Sequence, residues 1–148
     1  MRIKKKKEYR ELDGQFDQIM KTDVFQFSND QLIQVKIHYV ASSRRQGVVL
    51  ISENGFLLEE EGTCSSFILW ADKLNSEHVI KCVEGTMNLF NVWEEERILG
   101  YHDQWSGMRI EKEQNGFIYH CQDSYTKEKD TSMIFSLSLL TERSIKTD

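Results

Sequence analysis

A chain of 148 residues, 39% hydrophobic and 29% charged, is one ordinary domain. It is long enough to bury on the order of 70% of its unfolded surface and too short for two domains with a linker. No apolar run reaches the roughly 18–20 residues of a membrane-spanning helix, and 11% aromatic residues is too rich for a disordered chain. Lys and Arg number 19 against 24 Asp and Glu, a net charge of -5, which disfavours nucleic-acid binding through a whole-domain positive field.

Residues 1–7 read as a solvated basic tail. Lys4, Lys5, Lys6 and Lys7 run into Glu8, Tyr9, Arg10 and Glu11, where an export signal would turn apolar. Residues 8–148 read as a single domain that opens on an amphipathic helix over 8–21. Tyr9, Leu12, Phe16 and Ile19 recur at helical spacing on one face, with Gly14 costing about 1 kcal/mol of helix propensity.

From there the period changes to two. Ile33, Val35, Ile37 and Tyr39 alternate with Gln34, Lys36 and His38, as in a half-buried strand. Met133, Phe135, Leu137 and Leu139 alternate with Ser136 and Ser138 in the same way. Between them lie β-rich runs over 48–51, 56–58, 67–70, 79–83, 87–93, 101–105, 108–112 and 117–122. Asn54-Gly55 and Asn115-Gly116 read as two-residue hairpin turns, with Glu84-Gly85 and Ser106-Gly107 as weaker versions. So many hairpins leave no room for crossover helices. The expected fold is mainly β: an antiparallel β-sandwich or jelly-roll-like barrel of about nine strands with one N-terminal amphipathic helix.

Turns set register, and register sets neighbours. With turns at Ser106-Gly107 and Asn115-Gly116, His102, Glu111 and His120 lie abreast on one face of a three-stranded meander. Gln104, Arg109 and Gln122 form the next rung, while Trp105, Met108, Ile110, Phe117, Tyr119 and Cys121 take the core side. Two imidazoles beside one carboxylate are a ligand set for a non-haem Fe(II) or related divalent ion, so His102, Glu111 and His120 are candidate metal ligands. The simpler alternative is a solvent-facing ladder of charge and hydrogen bonds, and no cofactor is implied.

Cys64, Cys82 and Cys121 are odd in number and lack CxxC spacing, which points to reduced, mostly buried thiols of a cytosolic protein. Nucleophile elbows and Gly-rich phosphate loops are absent. The runs Glu59, Glu60, Glu61 and Glu94, Glu95, Glu96 read as loops or protected strand ends that could together cover a basic surface. Trp70, Trp93 and Trp105 fall near strand ends, with Trp93 and Asn91 the first choice for an exposed edge.

The functional expectation is a non-enzymatic binding module, in the specific version an acidic immunity- or antitoxin-like protein recognising a basic protein partner. The competing expectation is a small-ligand or carbohydrate-binding sandwich, or a metal-dependent jelly-roll enzyme, working through the His102, Glu111 and His120 rung. An oligomer built by edge-strand pairing is a third.

Overall fold

The computed structural model describes residues 7–12, 15–58, 62–73, 75–101, 106–123 and 131–141, with residues 7–12, 15–19 and 58 described by their backbone pairing alone. The strands are β1 (Lys7–Leu12), β2 (Gln15–Met20), β3 (Asp23–Phe27), β4 (Gln31–Val40), β5 (Arg45–Leu58) and β6 (Gly62–Trp70). They continue with β7 (Glu77–Cys82), β8 (Gly85–Glu95), β9 (Ile98–Gly100), β10 (Gly107–Glu113), β11 (Gly116–Gln122) and β12 (Met133–Leu140). All pairings are antiparallel. The fold is mainly β and antiparallel, as expected; its strands form one sheet of twelve among the described residues, curled into an open half-barrel, where about nine strands in a sandwich or jelly-roll-like barrel were expected.

The two clearest alternating segments form β4 and β12, and they pair with each other, Phe135 opposite Ile37 and Leu137 opposite Val35. Ile33, Val35, Ile37, Met133, Phe135 and Leu137 are fully buried, while Ser136, Ser138, Gln34 and Lys36 face outward; Tyr39, expected on the buried face, is exposed beyond the register shift at Ile134 and Phe135, and Leu139 is half-buried. The N-terminal helix is replaced by strands: residues 7–12 and 15–20 run as β1 and β2, and the described residues contain no helix. Leu12 pairs with Gln15, so the helical spacing of Tyr9, Leu12, Phe16 and Ile19 belongs to two antiparallel strands.

Two expected hairpins are bends instead. Asn54 and Gly55 lie inside β5, where Ile51 pairs with Ser66 but Phe56 with Cys64, so five residues of β5 advance against two of β6. Gly55 has φ 103, a left-handed conformation that suits glycine and lets the bulge form. Glu84 and Gly85 join β7 to β8, which do not pair with one another but run end to end along the same side of β5. On their far side β4 and β3 do the same, β4 against β7 and β3 against β8.

The three bends therefore line up across the sheet at residues 28–30, 53–55 and 83–84. Glu84 N donates to Asp30 Oδ1 at 2.9 Å, Asn54 Nδ2 to Glu84 O at 2.6 Å and Thr86 N to Glu53 Oε1 at 3.0 Å. Folding along this line curls the sheet and brings β3 and β8 over β10 and β11. Rings fill the inside: Tyr119 stacks on Phe135 at 4.6 Å, and Phe25 meets Phe117 edge-on at 5.6 Å.

Candidate functional site

The β10–β11 hairpin exists, with its turn one residue earlier than expected. Glu113 pairs with Gly116, leaving Gln114 and Asn115 in the loop, so every contact slips by two residues. Gly116 is there for close approach, not for positive φ: a Cβ would run into the Leu137 carbonyl oxygen of β12. A slip of two keeps each side chain on its face. Met108, Tyr119 and Cys121 are buried inside as expected, and Arg109 and Glu111 are exposed outside.

On that outer face Arg109 lies opposite His120, and Glu111 lies opposite Ile118. Glu111 still reaches His120 diagonally, Oε1 to Nε2 at 3.1 Å, an ion pair whenever the imidazole is protonated. Gln122, at the end of the row opposite Gly107, is buried, and its backbone oxygen accepts a 3.2 Å bond from Asn91 Nδ2. His102 and Gln104 lie outside the described residues. The strand that flanks β10 on its other side is β2, through Met108 and Met20. Among the described residues no group of three or more His, Cys, Asp or Glu side chains is arranged to hold a metal ion.

The same outer face continues onto β12 and β4. His38 Nε2 lies 2.8 Å from Ser136 Oγ, beside a cleft of about 310 Å³ lined by Glu113, Asn115, Ile118 and Ser138. Partial burial of the imidazole, reinforced by Lys36 and opposed by Glu113, holds its pKa below 6.5. The unfolded chain therefore takes up the proton first as pH falls. The stability that neutral His38 contributes is present above about pH 6.5 and lost as pH drops through that value toward the lower folded pKa. Melting temperatures between pH 7.5 and 5.5 should accordingly fall more steeply for the natural chain than for His38→Gln; parallel curves would remove His38 from the account.

The glutamate runs are less bare than their sequence suggests. Glu94 is 3.3 Å from Arg45, which also forks onto Asp72 at 2.6 and 2.9 Å and lies 4.1 Å over the Trp70 ring. Glu95 approaches Arg44 at 3.8 Å, and Glu96 turns the chain at φ 52 and is exposed. Glu59, Glu60 and Glu61 lie outside the described residues, as does Trp105. Trp93 and Asn91 are buried, not an exposed edge. Trp93 pairs with Gly100 of β9, and its ring occupies the space a Cβ at that glycine would need.

Two groupings were not read from the sequence. At the aligned bends the Asp30 and Glu53 carboxylates accept from the backbone N–H groups of Glu84 and Thr86, so the exposed residues Asp30, Glu53 and Glu84, far apart in the chain, lie on neighbouring bends. At the opposite end of β8 the strand termini share a buried polar network. Tyr119 Oη donates to Asp23 Oδ2 at 2.6 Å, Ser42 Oγ and Gln46 Nε2 donate to Asp123 Oδ2 at 2.7 and 3.0 Å, and Lys21 Nζ donates to the Ser106 carbonyl at 2.7 Å. Period-two counting does contain a signal for this network. It places Asp23 on the face of Phe25 and Phe27, and Gln46 on the face of Val48 and Leu50.

All three cysteines are free. Burial pushes the Cys82 thiol up to about 12 and the Cys121 thiol well above its usual value, which disfavours the reactive thiolate at neutral pH. Cys64 and Cys82 flank Phe56 on opposite sides, about two strand spacings or 9–10 Å apart, beyond disulfide reach. No helix of the described residues is long and apolar enough to cross a membrane. The chain matches no family model, and neither curated proteins nor solved structures include a significant match to it.

Proposed function

We propose that this chain is a non-enzymatic binding module that recognises a basic protein partner, in the manner of an immunity- or antitoxin-type protein. The observation that carries this reading is that three neighbouring bends each carry an exposed acid, Asp30, Glu53 and Glu84, along one line across the sheet. A net charge of -5 adds a long-range field that speeds encounter with a cationic surface. The packed rings inside the curl, and the position of Arg109, Glu111 and His120 on the convex outer face, fit recognition by surface better than enclosure of a ligand. A cytosolic setting, inferred from the odd and widely spaced cysteines, belongs to the same proposal.

The test is capture of a partner from native lysate at low and high salt, with the natural chain and with the triple variant Asp30→Asn, Glu53→Gln, Glu84→Gln. At Asp30 and Glu53 the amide keeps the acceptor oxygen that holds the bend, and at all three positions it removes the charge. A stoichiometric basic partner should be held at low salt, released at high salt and bound at least about tenfold more weakly by the variant. Equal retention by both chains would sink the reading. The cleft beside His38 favours a second reading, in which a small polar ligand or sugar is bound by Glu113, Asn115, Ser136 and His38. A metal-dependent variant of that reading rests on His102, Glu111 and His120.

A further inference from the structure

The sheet has edges, and they are not equally protected. β1 carries four charged residues in six, Lys7, Glu8, Arg10 and Glu11; β3 is five residues long and β9 three. These are the usual ways of discouraging another strand from pairing. β6 has none of them. It is nine residues long, reads Gly62, Thr63, Cys64, Ser65, Ser66, Phe67, Ile68, Leu69, Trp70, and contains no charge and no proline. It pairs with β5 and with nothing else, and among the described residues no group of β6 hydrogen-bonds beyond β5. Gly62, Thr63, Ser65 and Ser66 are exposed, and the alternate N–H and C=O groups along the outer side of the strand are paired by none of the described residues. Phe67, Ile68, Leu69 and Trp70 are only half-buried, Phe67 meeting Phe56 at 5.0 Å from one side.

The geometry points to a second copy of this chain as the occupant of that edge, β6 pairing antiparallel with β6 about a two-fold axis to join two half-barrels through one continuous sheet. Antiparallel pairing about a two-fold makes a strand its own complement and closes the assembly at two. Charge selects the place. Two chains of net charge -5 repel, and most of their surfaces would set like charges against each other on self-contact, whereas an uncharged strand meets itself without opposition. The added strand would also cover the flanks of Phe67, Ile68 and Leu69 on both faces.

Sedimentation of the full chain across the micromolar range tests this. The natural chain should sediment as a discrete dimer. Ser66 is exposed, so Ser66→Lys and Ser66→Glu should each fold normally by circular dichroism. Like charges near the axis should raise the dimer dissociation constant by about tenfold or more. An equimolar mixture of the two variants should regain the dimer, because opposite charges then face each other. A natural chain that stays monomeric, or assembles without limit, overturns the proposal, as do variants that dimerise as well as the natural chain. Ser65→Lys, one residue along on the same exposed stretch, replaces either variant should it fail to fold.

Discussion

Phe135→Ala should destabilise the fold by about 3–5 kcal/mol, the range for truncating a buried phenylalanine. Phe135 has no exposed surface, lies between Ile37 of β4 and Tyr119 of β11, and stacks on the Tyr119 ring with an interplanar angle of 13°. Removing the ring takes away the floor on which Tyr119 rests. Tyr119 is also the residue whose hydroxyl crosses the curl to Asp23. The loss therefore combines a cavity with slackening of a hydrogen bond that ties β11 to β3. In urea titration the midpoint should fall with little change in slope. The neighbouring Ser136→Ala, on the outer face, should move stability by no more than about 0.5 kcal/mol. A loss of under about 1 kcal/mol for Phe135→Ala would mean that the sheet does not close over this ring.

Gly116→Ala should cost about 2–3 kcal/mol through overpacking, although it adds a single methyl group. That methyl would strike the Leu137 carbonyl oxygen and the backbone of Ser138, and neither is the end of a flexible side chain that could swing aside. β11 would have to move off β12 at its first residue, where Leu139 N also donates to Asn115 O at 2.8 Å. A thermal melt should show a drop of roughly 5–10 °C for a domain of this size. An unchanged melting temperature would show that Gly116 serves only the turn.

Much of the strand content was legible because alternation is a local signal. Ile33 to Ile37 and Met133 to Leu137 each declare a buried face without reference to any partner, and both faces are where the pattern puts them. The inner and outer faces of β10 and β11 were also legible despite a turn misplaced by one residue, since the resulting slip of two preserves the side of every side chain. That is why Glu111 and His120 are neighbours although they are not opposite each other. The helix over 8–21 is not seen, since residues 7–12 and 15–20 run as paired strands, and spacings of three and four also arise by chance across two strands.

The bends were illegible as bends. Asn-Gly and Glu-Gly allow positive φ, but the chain can use that freedom to reverse direction or to bulge and continue, and the choice depends on what pairs alongside. At Gly55 the strand continues because β6 holds both halves of β5 on one side while β8 and β7 hold them on the other. The line of exposed acids Asp30, Glu53 and Glu84 follows from that choice, as do the covering of Trp93 by β9 and the closing of the curl over Tyr119. By itself the sequence determined the class of fold, the sidedness of its clearest strands and the negative charge, all set by composition and nearest neighbours along the chain. Which strands lie side by side, and so which polar residues meet, was decided only in the tertiary structure, because strand pairing joins segments whose sequences carry no record of their partners.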